Sequence, residues 1–181
     1  MTAVRSGISA AVIVLTGGLC TLPALADTTI NFHGNLVIPE CVVNSNNDIT
    51  VDFGDVDIQA LPVSNTLYEL QMFSVPLECP YTQGIPKLAV TAVLATGSQA
   101  RDGTIKTSKD NEGLVVYLRE QDGITPVQLN LTTGTDISGS ISGSGTSRTL
   151  SLGAGIGQMN GVSKLTAGSF TATASLQVRY E

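Results

Sequence analysis

Ser169-Phe170-Thr171-Ala172-Thr173-Ala174-Ser175-Leu176-Gln177-Val178-Arg179-Tyr180 is the stretch that decides the fold class. Phe170, Ala172, Ala174, Leu176, Val178 and Tyr180 fall on one side, and every residue between them is polar. Side chains of a strand alternate between its two faces, so this pattern predicts a long strand with one buried and one wet face. It runs on to Glu181, and no later strand is expected to pair beside it.

Upstream, shorter apolar runs punctuated by turn residues predict a sandwich or barrel. Residues 49–53 alternate and stop at Gly54. Residues 70–77 end before Cys79-Pro80, and 114–118 before Gln121-Asp122-Gly123. Residues 88–94 are continuously apolar, as in a strand buried on both faces. Residues 127–131 alternate, and 149–152 form a shorter candidate. The Gly/Ser/Thr-rich stretch 133–147 reads as a flexible loop or a weak edge hairpin. One all-β sandwich of six or seven strands is expected.

Composition agrees. The 181 residues are 42% hydrophobic, 13% charged and 4% aromatic, with 19 Gly and no Trp. Charge is about half the usual quarter of a soluble domain, too sparse for long salt-bridged helices, and the apolar content excludes a disordered chain. At the N-terminus, Arg5 precedes an apolar run from Ile8 to Leu15, and Ala24-Leu25-Ala26 follows the breaker Pro23. That is a signal-peptide pattern with cleavage after Ala26, and the run is too short to span a bilayer. Leu19 before Cys20 is too large for a lipoprotein signal.

Without residues 1–26 the chain keeps 155 of its 181 residues, with eight basic against fifteen acidic side chains. No basic cluster survives, so nucleic acid and anionic membrane are poor partners; no nucleic-acid binding and no direct membrane insertion are expected. Two cysteines remain, Cys41 and Cys79, and in an exported chain an isolated pair reads as one disulfide.

The mature N-terminus also alternates. Ile30, Phe32, Gly34, Leu36 and Ile38 interleave with Thr29, Asn31, His33, Asn35 and Val37, and Pro39 ends the run. This is either a first edge strand of the chain's own sandwich or a segment held elsewhere, because free termini are commonly disordered. Gly34 weakens an ordinary strand interior unless another backbone approaches closely.

With these features the sequence resembles the pilin subunits of the chaperone–usher pathway. The resemblance rests on the extension Thr29-Ile30-Asn31-Phe32-His33-Gly34-Asn35-Leu36, on Cys41 with a second Cys some forty residues on, on Gly168 fourteenth from the C-terminus, and on the penultimate Tyr180. Gly-Asn-Leu-Val-Ile-Pro-Glu-Cys and Val-Asp-Phe-Gly-Asp-Val look most like minor tip or adaptor subunits of P-type pili.

The resemblance implies an immunoglobulin-like sandwich lacking its seventh strand, with an apolar groove along the C-terminal strand. It divides the chain into a removed signal peptide (1–26), a donor-strand extension (27–38) and a pilin domain (39–181). A periplasmic chaperone would fill the groove first, and at the outer-membrane usher the extension of a neighbouring subunit would replace it, with a tip adhesin as one possible neighbour. This is strand addition, in which main-chain bonds bind and alternate side chains select. Ile30, Phe32, Gly34, Leu36 and Ile38 would be this chain's donor residues. Gly168, Phe170, Ala172, Ala174, Leu176, Val178, Tyr180 and Glu181 would form its groove and chaperone-binding strand. Burying Ile30, Phe32, Leu36 and Ile38 in a neighbour contributes about 6–12 kcal/mol before ordering costs.

Catalytic readings are thin, and no cofactor or metal is expected. His33 is the single imidazole, and no HExxH, CxxC or phosphate-loop pattern occurs. Gly153, Gly155, Gly157 and Gly161 read as a turn rather than a dinucleotide loop, and Asp52, Asp55 and Asp57 as an acidic turn rather than a calcium loop. Asn130-Leu131-Thr132 is a glycosylation sequon by pattern only. The alternative function is a self-contained secreted sandwich that binds a ligand or glycan.

Overall fold

The computed structural model describes residues 28–62, 65–159 and 165–181; the expected signal peptide and Gly161 lie outside them. By contact the chain divides after Asn35 into a short N-terminal unit and a body, Leu36–Glu181. The body is all-β, apart from short 3-10 turns. Its strands are β1 (Val42–Val43), β2 (Tyr68–Glu78), β3 (Pro86–Ala92), β4 (Thr104–Lys106), β5 (Leu114–Glu120), β6 (Thr135–Asp136), β7 (Ile141–Ser144), β8 (Ser147–Gln158) and β9 (Ala174–Tyr180).

They form two antiparallel sheets. The larger has the order β1-β2-β8-β5-β4 with β7 also on β8, and the smaller the order β6-β3-β9. β8 is the spine of the larger sheet. β2 lies along one of its edges, while the other is shared by β7 over 147–150 and β5 over 152–158. Leu150, Leu152 and Ile156 of β8 are fully buried, as are Val75 of β2 and Leu88, Val90 and Val178 of the smaller sheet. This sequestered apolar surface between the sheets is the main source of stability.

Gly153, Gly155 and Gly157 occupy the outer face of β8, not a turn. A Cβ on Gly155 would sit 2.5 Å from Leu67 Cγ, and one on Gly157 would run into the Thr66 carbonyl and lie 2.6 Å from the Tyr117 ring. The bare stripe lets Leu67 and Tyr117 lie flat on the sheet and build a second small cluster with Ala95, Val115 and Met159.

Residues 70–77, 114–118 and 149–152 are strands as predicted. The run 88–94 is a strand only to Ala92 and is buried on one face, not both: Leu88 and Val90 point into the core, while Thr91 and Val93 are exposed on the open side of the smaller sheet. Residues 127–131 are not. Val127 and Leu129 are fully buried, yet the backbone bonds go to three different places: Val127 N to Leu118 O, Leu129 N to Ala100 O and Asn130 N to Val90 O. Pro126 before the run cannot donate, and Asn130 sits at φ 57°. The Asn130 amide instead imitates a strand neighbour: its Oδ1 accepts from Ala92 N (3.1 Å) and its Nδ2 donates to Ala92 O (3.0 Å). Stretch 133–147 contains β6, a turn and the edge hairpin β7–β8.

β1 ties the sheets together. Val42 and Val43 pair with the end of β2, while Cys41 N donates to Val178 O of β9 at 2.8 Å. The expected disulfide joins Cys41 to Cys79, just past β2, and both cysteines are buried.

Candidate strand-acceptor groove

β9 is an edge strand. β3 pairs with it from Pro86↔Tyr180 to Ala92↔Ala174. On its other side, the Cys41–Val178 contact is the backbone bond present among the described residues. The predicted twelve-residue strand is shorter by its first five residues for a local reason. β3 ends at Ala92, and the chain then turns to β4, with Lys106 N bonded to Val93 O (2.8 Å) and Ala95 N to Thr104 O (3.2 Å). Residues 169–173 therefore lack a ladder and are held by the Thr107↔Ala172 bridge, by the bond from Ser108 N to Thr171 O, and by Thr171 N donating to Ser108 Oγ at 3.1 Å.

Opposite this edge runs segment 49–58, whose Ile49, Val51, Phe53, Val56 and Ile58 are half-buried against the core. The alternation predicts a strand at 49–53. Among the described residues, however, no backbone hydrogen bond joins 49–56 to any strand. Two contacts fix its direction: Cys41 lies against Val178, and the Phe53 and Phe170 rings are 6.1 Å apart. The segment thus runs antiparallel to β9, with the 3-10 turn Asn44–Asn46 taking up slack.

Between the two lies an open groove of about 810 Å³. Its walls are 49–58 and 168–176. Its floor is the inner face of the larger sheet, namely Phe73, Ile105, Leu114, Val116, Leu118, Ala154 and Ile156. Two rows of backbone without partners flank an apolar trough, an arrangement suited to receiving one more strand.

The residues expected here divide. Gly168, Phe170, Ala172, Ala174 and Leu176 line the groove. Val178 and Tyr180 lie beyond it, buried in the core. Glu181 closes the strand through Ile85, with Ile85 N bonded to Glu181 O at 2.6 Å and Glu181 N to Ile85 O at 3.0 Å, and its side chain accepts from Arg179 Nε at 2.6 Å. Gly168 has φ +137°, which only glycine adopts readily. Small Ala172 and Ala174 keep the wall low.

Sequence reasoning did not assign the opposite wall to the site, although the 49–53 alternation marked its apolar face. It also missed a polar knot at one end. There Lys109 Nζ donates to Thr166 O (2.9 Å) and Oγ1 (3.0 Å) and lies 3.4 Å from Glu112 Oε1, while Thr166 N donates to Glu112 Oε2 at 2.6 Å. The bonds from Thr166 backbone and hydroxyl, with the nearby Lys109 charge, hold the Glu112 carboxyl below its ordinary range. Asp52 and Asp57 make local turns, accepting from Gly54 N and Gln59 N at 2.8 Å. Among the described residues no cluster of three or more His, Cys, Asp or Glu could hold a metal ion.

Residues 28–38 form no strand and belong to neither sheet. Phe32 is 89% exposed, and Ile30 and Leu36 are exposed too. A Cβ on Gly34 would meet nothing within 4 Å, so no described neighbour calls for glycine there.

Comparison with known proteins places this geometry. A family model described as fimbrial protein matches residues 30–181. The Escherichia coli fimbrial protein PrsE is 31% identical over 156 residues, 86% of each chain. The fimbrial adapter PapF of the same species is 30% identical over 162 residues, covering 90% of this chain and 93% of PapF. Among solved structures, the P pilus rod subunit PapA superposes with a TM-score of 0.57 at 18% identity, over 84% of this chain and all of that one. A PapF adaptor structure gives 0.52 at 24%, over 81% of this chain and all of that one. Those likenesses show the fold, an immunoglobulin-like sandwich short of one strand. On the family match across 30–181 and the two relatives, the chain belongs to the fimbrial protein family.

Proposed function

We propose that this chain is a structural subunit of a chaperone–usher fimbrium, completed by a β-strand from another polypeptide. The observation that carries the reading is the unfilled groove between segment 49–58 and the free edge of β9. An open apolar trough beside an unpaired edge is an aggregation hazard unless something covers it. A donor strand removes the hazard by supplying ladder bonds and filling the trough with alternate side chains. The extension, apolar and without a strand partner among the described residues, is the matching donor for a neighbour.

In this reading the chaperone lends the strand in the periplasm, the usher exchanges it, and the finished subunit stands in a cell-surface fimbrium. The preferred place is minor tip or adaptor, supported by the likeness to PapF. The subunit performs no chemistry. A self-contained binding module, by contrast, would complete its own sandwich, and the free edge separates the two readings.

Thermal melting of the chain from Pro39 onward, with and without a donor peptide or a family chaperone, tests the reading. Poor solubility alone and a large rise in melting temperature on adding the strand are expected. A reversible monomer indifferent to every donor would put the binding module first.

A further inference from the structure

The two rims of the groove differ in charge. Asp52 and Asp55 line the 49–58 side, with Asp57 exposed on the same segment and Asp48 exposed just before it. Among the described residues, no basic group lies within 4.0 Å of any of these four carboxylates. The facing rim offers the hydroxyls of Ser169, Thr171 and Thr173 and no charge. Lys109 is the cation lining the groove, and Glu112 and Thr166 engage it at the far end.

A strand lying in the trough turns alternate side chains down to the floor and the others up, between the aspartates and the hydroxyls. Resting on the reading that the groove takes a strand, we propose that it prefers a donor from a different protein, one with Lys or Arg at its upward positions, over the extension of a second copy of this chain. An upward carboxylate meets like charge, an upward cation meets two unneutralised carboxylates, and complementary charge raises the association rate. The upward residues of this chain's own extension are Thr29, Asn31, His33, Asn35 and Val37, which include no Lys or Arg. A second copy thus fits the apolar floor but not the acidic rim, which biases assembly toward an unlike neighbour.

The test uses the full mature chain and three fluorescent peptides. One has the sequence of residues 29–39; the others carry Asn31→Lys with Asn35→Lys, or Asn31→Glu with Asn35→Glu. Association is followed at about 0.01 M salt, where charges act over about 30 Å, and at about 1 M, where they act over about 3 Å. The lysine peptide is expected to associate about tenfold faster than the glutamate peptide at low salt, with the difference lost at high salt. The preference should vanish in Asp52→Asn/Asp55→Asn and persist in Glu69→Gln/Glu78→Gln, which removes two carboxylates away from the groove. Equal low-salt rates, or a preference that survives Asp52→Asn/Asp55→Asn, would overturn the charge proposal while leaving the strand-acceptor reading intact. Failure of all three peptides to bind would overturn both.

Discussion

Replacing Phe32 with alanine separates folding from assembly in one residue. The ring is 89% exposed in the free chain, so its removal should leave the melting of the body unchanged. Seated in a neighbour's trough, the same ring goes from water to an apolar floor. Full burial of a Phe side chain is worth about 1.5–3 kcal/mol, and the alanine recovers little of it. Taking about 2–3 kcal/mol as the loss, the donor–acceptor complex should dissociate roughly 30–150 times faster, at about 1.4 kcal/mol per tenfold. The assay is the off-rate of a labelled acceptor subunit from this chain as donor, wild type against Phe32→Ala, with the free-chain melting curve measured alongside. An unchanged off-rate would show that Phe32 is not a filling residue. A lowered melting temperature of the free chain would show that it already serves the chain's own fold. Either result breaks the reasoning.

Other perturbations test the groove from within. Gly168→Ala forces a β-carbon into a φ of +137° and should cost about 1–3 kcal/mol, read by denaturant unfolding of the strand-filled chain. Cys41→Ser with Cys79→Ser opens a loop of 38 positions and should cost about 3–4 kcal/mol on the chain-entropy model, read the same way against the oxidised protein. Glu112 has a folded pKa below its unfolded value, so the stability it lends is present above the unfolded value and is lost as pH falls through the folded one. The Thr166 amide resonance should therefore titrate with a midpoint under the ordinary glutamate range, and Glu112→Gln should abolish that titration. Glu120 is the opposite case. Burial, with Asp122 and Asp136 nearby, raises its pKa, so its stability contribution is present at low pH and lost as pH rises through the folded value. Glu120→Gln should raise the melting temperature at neutral pH and leave it unchanged in acid.

Much of this was legible in the sequence, and the rest failed for identifiable reasons. The alternation from Phe170 to Tyr180 gave the wall of the groove, because a half-buried edge strand leaves a period-two record. The same record at 49–53 predicts a strand that the structure does not form: side-chain burial sets the period, and the missing backbone partner leaves no trace in it. Val127 and Leu129 misled in the same way, buried by the core while their amides scatter to three partners. Gly153, Gly155 and Gly157 looked like a turn because glycine usually marks one. What they record instead is the footprint of Leu70 and Met72 on Gly153, Leu67 on Gly155 and Tyr117 on Gly157, all residues distant in sequence. The Lys109–Glu112–Thr166 knot joins positions more than fifty apart and has no local signature.

The late partners of β2 and β3, namely β8 and β9, set the order in which this protein can fold. Tyr68 of β2 waits for Ile156, 88 positions later, and Pro86 of β3 waits for Tyr180, 94 positions later. Closing such long loops comes before any ladder bond can reward it, so folding is slow relative to a fold built from neighbouring hairpins. The two strands whose arrival completes the sheets are the spine and the wall of the groove. Nucleation therefore waits on β8 and β9, and a substitution that weakens either should slow folding more than one of equal cost in β4.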